Sequence, residues 1–317
     1  MAIVIQEPVD TAGAPRPVVP RPGRGAGAGA ARRSWVGWAF VAPFLVVFLF
    51  AIVAPIGYAT YLSLYREQLV GGKKFVGLDN LIDTFKDSQL RSSFGRVALI
   101  LVIQVPVMIV LAAAIALAID SGRLAGARLF RISVFLPYAV PSVIASLMWG
   151  FMYGDQFGLV KSINRDLGWH LPSPLSDSWA LPAIGNIITW EYVGYNMLIF
   201  YSALRVIPTE LFEAAALDGA SQWRIARSIK LPALRPALAI ATIFSIIGTF
   251  QLFNEPNILK TLAPNVISTF YTPNMYAFNL SFAGQQYNYS AAIALVVGVV
   301  TAVCAYVFQR AASRTGA

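Results

Sequence analysis

The sequence predicts an all-α integral membrane protein with six transmembrane helices. Of its 317 residues, 57% are hydrophobic and only 12% are charged, whereas globular domains carry about 25% charged residues. A hydrocarbon core of about 30 Å requires about 20 mostly apolar residues in a helix. Six stretches of the chain meet that requirement. The composition therefore excludes an ordinary soluble protein.

The six predicted spans are separated by shorter polar or basic segments. They lie at about residues 35–64, 94–119, 129–153, 181–204, 237–253 and 291–308. Prolines occur inside several of them, including Pro55, Pro106 and Pro141. Spanning helices tolerate proline where neighbouring helices or cavity water satisfy the freed carbonyl groups. We therefore expect kinked helices that pack as a bundle.

The amino-terminal residues 1–34 are rich in proline, glycine, alanine and arginine and offer little for a core to bury. This composition favours a disordered basic tail. A cleaved signal peptide would place a short basic segment directly before a short apolar core, which is not the arrangement here. The sequence thus predicts a cytoplasmic tail at 1–34 and a transmembrane domain at 35–317.

The distribution of basic residues indicates the orientation of the chain. There are 24 lysines and arginines against 15 acidic residues, for a net charge of +9. Most of the basic residues lie between apolar stretches, which favours a cytoplasmic membrane face over nucleic acid as their partner. Fifteen fall in the segments on the side of the two termini and nine in the opposite segments. Both termini are therefore predicted to be cytoplasmic in a multi-pass protein of the cell membrane.

The loop after the first span contains a helical pattern. Leu78, Ile82 and Phe85 recur at helical spacing among charged residues. This spacing predicts a short amphipathic helix on the outer membrane surface.

The segment between the fourth and fifth spans is predicted to form two short helices. The first begins near Pro208, and Gly219 can adopt the positive φ that ends a helix. The side chain of Asp218 is suited to bond the turn backbone. Ser221 can cap the second helix, and Pro232 is expected to stop that helix at the preceding residue.

This segment resembles the signature loop of the inner-membrane permease subunits of ABC-type importers. The matching residues are Glu213, Ala214, Ala215, Asp218, Gly219, Ala220, Ile229, Leu231 and Pro232. Residues 35–317 more loosely resemble the maltose-type, carbohydrate-uptake branch of that family, which includes actinobacterial trehalose importer permeases. One departure is Ala226, where the family commonly has a bulky aromatic residue, and Trp223 is the candidate substitute anchor.

The resemblance implies a type I ABC importer permease fold with a cytoplasmic coupling-helix pair. Residues 208–232 would be its coupling loop, which docks on a cytoplasmic ATP-binding subunit. The implied partners are a second homologous permease, two ATP-binding subunits, an extracytoplasmic sugar-binding protein or lipoprotein, and membrane lipid. ATP and Mg²⁺ would be bound by the ATPase partner, with no cofactor in this chain. The implied cargo is a sugar, with a disaccharide such as trehalose or maltose preferred.

The sequence also lacks the usual motifs of catalysis. A phosphate-binding G-x-x-x-x-G-K-[ST] motif is absent, because Glu67 stands where Gly72-Lys73 would need the first glycine. The motifs H-E-x-x-H and G-x-S-x-G are absent as well. The one histidine, His170, and the one cysteine, Cys304, have no companion ligands in the sequence. We expect neither a catalytic nor a metal site.

Polar residues inside the spans are the candidates for a substrate path, because such residues are costly unless they face the interior of a bundle. Amides and carboxylates can bond sugar hydroxyls, and an aromatic ring can receive the apolar face of a sugar. The candidates are Glu191, Tyr195, Asn196, Gln251, Asn254 and Glu255. The alternative is that an interfacial belt is formed by Trp190, Tyr192 and Tyr195 and that Gln251 and Asn254 only bridge helices.

Two other functions are compatible with parts of the sequence. A proton-coupled secondary transporter would use Glu191 or Glu255 as the proton carrier, but it would give the coupling loop no purpose. A membrane enzyme acting on a lipid-linked substrate would need a cluster of carboxylates or histidines, which the sequence does not show. Glycerol 3-phosphate importers look similar at this level, yet the core of the fourth and fifth spans has no cationic residue for a phosphate.

Overall fold

The computed structural model describes residues 26–68, 71–122, 124–154 and 158–314. In these ranges the chain forms helices and one two-stranded hairpin. The chain divides into two compact units, residues 1–55 and 56–317. Of the predicted tail, residues 1–25 lie outside the described residues.

The first helices begin earlier than the sequence predicts. Helix α1 (Ala26–Phe48) leads through a π-helical turn (Leu49–Val53) into α2 (Ala54–Ser63). Residues 26–34, assigned to the tail from their composition, are therefore helical. Their alanines explain the difference, because alanine has the highest intrinsic helix propensity.

A hairpin and a short helix follow the first predicted span. Strands β1 (Tyr65–Gln68) and β2 (Gly72–Phe75) pair antiparallel. Residues Asp79–Lys86 form α3, which confirms the predicted short helix. Its polar side faces the protein: Asn80 is 1% exposed and donates hydrogen bonds to the carbonyls of Ser63 (2.8 Å) and Tyr65 (2.7 Å). Its apolar side chains, namely Leu78 before the helix, Ile82 and Phe85, are exposed.

The second span is a long helix that an aspartate caps. It comprises α4 (Ser88–Leu99), a π-helical turn (Ile100–Gln104) and α5 (Val105–Asp120). Asp87 accepts hydrogen bonds from the first backbone amides of α4 and from the hydroxyls of Tyr276 and Tyr289, each at 2.8 Å. Burial raises the pKa of this carboxyl, but these hydrogen bonds outweigh burial and hold the pKa below its ordinary value.

The third predicted span, residues 129–153, is sharply bent. Helix α6 (Ala127–Phe135) and a 3₁₀ turn (Leu136–Ala139) meet α7 (Ser142–Tyr153) at an angle of 99°. Val140 is extended because it precedes Pro141, and this conformation interrupts the helix. The expectation of one kinked helix is therefore wrong at this position, where the span is broken.

The remaining elements complete the helical domain. They are α8 (Leu159–Leu167), α9 (Ala180–Leu204), α10 (Thr209–Leu217), α11 (Gln222–Ile225), a π-helical turn (Ala226–Lys230), α12 (Leu231–Ala233), α13 (Arg235–Phe250), α14 (Asn254–Leu259), α15 (Pro273–Phe282) and α16 (Tyr287–Arg314). One apolar core lies where α5, α9 and α13 meet, with Ala112, Met197, Phe200 and Ala241 fully buried. Small residues such as Ala112 let these helices approach closely.

Four helices in the part of the chain that the structure describes are long and apolar enough to cross a membrane. They are Gly37–Ser63, Ser88–Asp120, Arg235–Leu259 and Tyr287–Arg314. The bent pair of α6 and α7 is a fifth candidate. The remaining predicted span is α9, whose 25 residues give a length of about 37 Å. It is more polar than the others because it contains residues such as Asn186, Glu191 and Asn196.

The three π-helical turns share one cause. Each ends two residues before a proline, at Pro55, Pro106 and Pro232. In an α-helix, a proline ring collides with the carbonyl four residues earlier. In each case the residue before the proline instead donates to the carbonyl five residues back. The wider turn displaces the obstructing carbonyl, so the helix continues through the proline.

A buried ion pair joins α5 to the segment after α11. Lys230 Nζ lies 2.5 Å from Asp120 Oδ2, and both side chains are about nine-tenths buried. The same ammonium group lies 5.1 Å from the centre of the Phe212 ring on α10. Lys230 therefore connects α5 with both halves of the predicted coupling loop.

Replacing Lys230 with methionine should strongly destabilise the chain, because the Asp120 carboxylate would stay buried without its partner. We expect a loss of about 3–5 kcal/mol, seen as a lower melting temperature of the detergent-solubilised chain. The matched control is Arg165→Met, which removes the exposed Arg165–Asp166 pair and should leave the melting temperature unchanged. Adding Asp120→Leu to the Lys230 variant should restore much of the stability. Equal behaviour of both single variants would show that the buried pair is dispensable.

Candidate substrate cavity and coupling loop

A cavity of about 330 Å³ lies where the broken helices meet α9 and α13. Its lining includes five of the six residues predicted for a substrate path, namely Tyr195, Asn196, Gln251, Asn254 and Glu255. The sixth, Glu191, lines an adjacent cavity of about 320 Å³. The structure therefore brings the predicted set together around neighbouring spaces.

Two interruptions of the backbone place these side chains. Helix α13 ends at Phe250, and α14 begins at Asn254 after an irregular segment that carries Gln251. On the opposite wall, α7 begins at Ser142 after the bend. The Asn254 amide donates a 2.8 Å hydrogen bond to the Ser142 hydroxyl. This bond joins the two breaks across the cavity.

Stacked tyrosines form one wall of the cavity. Tyr138, in the 3₁₀ turn, stacks on Tyr195 with ring centres 4.8 Å apart and meets Tyr192 edge to face at 5.9 Å. Gly194 permits this approach, because a side chain there would collide with the Val134 carbonyl at 2.1 Å. These rings offer an apolar surface bordered by hydroxyl groups.

Some of the polar residues also bridge helices, and the bond from Asn254 to Ser142 is one that the alternative interpretation predicts. Asn196 is buried and donates to the Tyr192 carbonyl (3.0 Å) and toward the Met108 sulfur (3.8 Å). Gln104 donates to the Thr189 hydroxyl at 3.1 Å. Asn196 is thus partly committed to packing. Gln251 and Asn254 are exposed at the cavity, although Asn254 is also bonded to Ser142.

Glu191 and Glu255 form a buried pair of carboxyl groups. Glu191 is 3% exposed, and its carboxyl group forms a hydrogen-bonded pair with the carboxyl group of Glu255. Glu255, which is 6% exposed, lies close enough for the two carboxyl groups to interact electrostatically. Residues around Glu191 include Tyr138, Ser142 and Tyr192.

Sequence reasoning missed Gln104, Tyr138 and Ser142 as lining residues. Tyr138 and Ser142 flank Pro141, so polar residues beside a proline break in a predicted span were the available signal. Gln104 carried a weaker signal, as a single polar residue two positions before Pro106.

The turn of the predicted coupling loop has the expected geometry. Gly219 has a φ of +74° and ends α10 in a Schellman motif. The Ala220 amide donates to the Ala215 carbonyl (2.9 Å) and the Gly219 amide to the Ala216 carbonyl (3.0 Å). Ser221 caps α11 by accepting from the Arg224 amide at 3.3 Å. The glycine turn and the serine cap that the sequence predicts are therefore both present.

Two details of the loop differ from the prediction. The Asp218 carboxylate is exposed and makes no hydrogen bond with the described residues, so it does not hold the turn. Pro232 does not stop the second helix at Leu231, because the π-helical turn at Ala226–Lys230 accommodates the proline and the chain continues into α12.

The loop exposes most of the residues that the resemblance assigns to docking. Glu213, Ala214, Asp218, Gly219 and Pro232 are exposed, and Ala215, Ala220, Ile229 and Leu231 are half-buried. Leu217 and Trp223 are 90% and 73% exposed. Trp223 therefore does not anchor the second helix to this chain; the buried Ile225 does.

Comparisons with known proteins agree with this geometry. Residues 109–315 match the family described as binding-protein-dependent transport system inner membrane component. The lactose transport system permease protein of Rhizobium radiobacter is 31% identical over 280 residues, which cover 85% of this chain and 91% of that protein. The trehalose/maltose transport system permease protein of Thermococcus litoralis is 30% identical over 276 residues, covering 85% and 90%.

A solved structure shows the same fold. It is a bacterial alginate ABC transporter in complex with an alginate pentasaccharide-bound periplasmic protein. The TM-score is 0.76 at 20% identity, with 90% of this chain and 97% of the matched chain covered. The expectation of a type I ABC importer permease fold is confirmed.

The comparisons also decide between the functions weighed from the sequence. They support transport subunits of ABC importers and do not support a proton-coupled carrier. A membrane enzyme is likewise unsupported, since the relatives are permease proteins. The chain therefore belongs to the family of binding-protein-dependent transport system inner membrane components, as a multi-pass permease subunit of a sugar ABC importer.

Proposed function

We propose that this chain forms half of the translocation path for a disaccharide, together with a second homologous permease. Two cytoplasmic ATP-binding subunits, which hold ATP and Mg²⁺, drive transport, and an extracytoplasmic sugar-binding protein delivers the cargo. Both termini and the coupling loop face the cytoplasm. The observation that carries this proposal is the exposed Schellman turn at Gly219 between the two coupling helices.

The exposed surface of the coupling loop supports docking on another protein. Leu217 and Trp223 leave apolar surface uncovered beside Glu213 and Asp218. Large exposed apolar side chains ringed by polar ones are typical of protein interfaces. Because the loop lies on the side with more basic residues, its partner is a cytoplasmic protein.

Helix α5 links the coupling loop to the cavity and can transmit movement of the loop. Lys230 ties the coupling loop to Asp120 at the end of α5. The other end of α5 supplies Val105 and Met108 to the cavity lining. Movement of the docked loop therefore reaches the cavity wall through one helix, as a rigid-body switch requires.

The cavity suits a sugar. The tyrosine pair, Tyr138 and Tyr195, can receive a sugar ring, while Gln251 and Asn254 offer amides to its hydroxyls. The relatives named for lactose and for trehalose/maltose favour a disaccharide. Trehalose or maltose is our preferred cargo.

Gly219→Val should abolish sugar uptake while the chain still inserts in the membrane. A β-branched residue at a φ of +74° costs about 1–2 kcal/mol and would shift the angle between the coupling helices. The matched control is Gly126→Val, which has the same φ and equally open surroundings outside the coupling loop. Uptake and membrane content of both variants are measured in cells. Full uptake by the Gly219 variant would contradict the assignment of the loop.

Glu213→Lys should prevent docking, since it reverses an exposed charge within the proposed interface. The measurement is co-purification of the ATP-binding subunits with the tagged chain from its native membrane, identified by mass spectrometry. The control Glu67→Lys changes an exposed glutamate in β1 and should keep the subunits bound. Undiminished recovery with the Glu213 variant would place the interface elsewhere.

Tyr195→Ala should lower uptake of the transported disaccharide roughly tenfold at low sugar concentration, because the ring stack would be lost. The ATP-binding subunits should still co-purify, which separates this defect from a docking defect. Tyr306→Ala, which removes an exposed ring from α16, serves as the control. Unchanged uptake with the Tyr195 variant would show that sugar does not contact this wall.

A further inference from the structure

A separate cavity, which we call the hairpin recess, lies beside the two-stranded hairpin. It has a volume of about 730 Å³ and is lined by residues of β1, α3 and the segment that leads into α16. None of its described lining residues belongs to the substrate cavity. Its volume falls within the range of small-molecule sites. The recess therefore has room for a ligand of disaccharide size.

The hairpin recess lies at the opposite end of a long helix from the coupling loop. Asp83, on its wall, precedes α4 by a few residues, whereas Lys230 of the coupling loop contacts Asp120 at the end of α5. The helix between them, Ser88–Asp120, has 33 residues and is about 50 Å long. In the proposed orientation, the recess is therefore on the extracytoplasmic face, where the cargo arrives.

Part of the wall is fixed by hydrogen bonds within the chain. Arg66 donates to the side-chain oxygen of Asn80 at 3.0 Å and pairs with Asp83 at 2.6 Å. The buried Asn288 amide donates to a carbonyl of α2 at 2.9 Å. Glu67 adds a second acidic group to the lining, which disfavours an anionic ligand. These residues give the recess its shape.

Other lining residues carry neutral polar groups that are available to a ligand. Gln68, Gln285 and Gln286 are exposed, and their side chains make no hydrogen bond with the described residues. Tyr287, which is 50% exposed, adds an aromatic ring with a hydroxyl group. A glutamine amide both donates and accepts hydrogen bonds, as sugar hydroxyls do. The tyrosine ring can receive the apolar face of a sugar ring.

The backbone of Gln285 supports a binding role for its side chain. Among the described residues, it is the one residue other than glycine with a positive φ, at +54°. It lies in the turn that ends α15, a position where glycine is common and a residue with a Cβ is strained. Glycine could not supply the amide that lines the recess. Strained residues of this kind cluster at binding sites.

We propose that the hairpin recess is a second saccharide site, in which Gln68 and Gln285 bond sugar hydroxyls and Tyr287 receives a sugar ring. The choice of a saccharide rests on the proposed function, because a sugar importer meets its cargo at this face. The site holds cargo at the entrance, apart from the translocation path.

The test measures binding of maltose and trehalose to the intact transporter by saturation-transfer NMR, without added binding protein. Binding should persist in a Tyr195→Ala variant, because Tyr195 does not line the recess. In that background, Tyr287→Ala should weaken binding about tenfold, and Gln285→Gly should weaken it about threefold to tenfold. Gln89→Ala, which removes an exposed amide outside the recess, should leave binding unchanged.

The Gln285→Gly variant separates loss of the amide from misfolding. Glycine adopts a φ of +54° without strain, so the melting temperature of the detergent-solubilised transporter should not fall. If Tyr287→Ala does not fold, Gln285→Gly decides the question alone.

The outcomes separate this inference from the proposed function. If Tyr195→Ala alone removed all binding, the sugar would occupy only the substrate cavity, which would overturn the recess and leave the proposed function standing. Unchanged binding in either recess variant, or no binding by the wild-type transporter, would overturn the recess as well. If the recess variants lose binding while Tyr195→Ala keeps full uptake, the recess stands and the assignment of the substrate cavity falls.

Discussion

The structure depends on one constraint: backbone amides and carbonyls at membrane depth must find partners within the protein or in a water-filled cavity. The chain meets it in two ways at its prolines. Before Pro55 and Pro106, a widened turn keeps the helix continuous. At Pro141 the helix breaks instead, and the break lines the cavity through neighbouring residues such as Tyr138. Irregular backbone and binding space therefore occur at the same place for the same physical reason.

Much of the site was predictable because its residues obey local rules. A polar side chain in an apolar span must face the interior, which identified Asn254 and Glu255, and a glycine between helical runs identified the turn at Gly219. The proline rule alone was insufficient, since it predicted a stop at Pro232 and only a kink near Pro141. Whether a helix widens or breaks at proline depends on packing with distant segments, which a single sequence does not show.

Tertiary contacts also determine which polar residues of α9 pair with which neighbours. Asn196 and Glu191 lie on the same helix within two turns and read alike in the sequence. The Asn196 amide donates to the Tyr192 carbonyl and toward the Met108 sulfur, whereas the Glu191 carboxyl group pairs with that of Glu255 on α14. The buried pair of Lys230 and Asp120 was equally hidden, because its members are far apart in the chain and lie in different predicted elements.

The orientation of α3, with its polar side toward the protein and its apolar side exposed, has a mechanical consequence. Its polar side is fixed to the protein through Asn80, so Leu78, Ile82 and Phe85 point away from the chain. At the boundary of the bilayer, each such side chain contributes about 1.5–3 kcal/mol when it leaves water. In a bilayer, these contacts would hold this end of the chain at a constant depth. Such an anchor would favour tilting of the other helices about this level over sliding along the membrane normal.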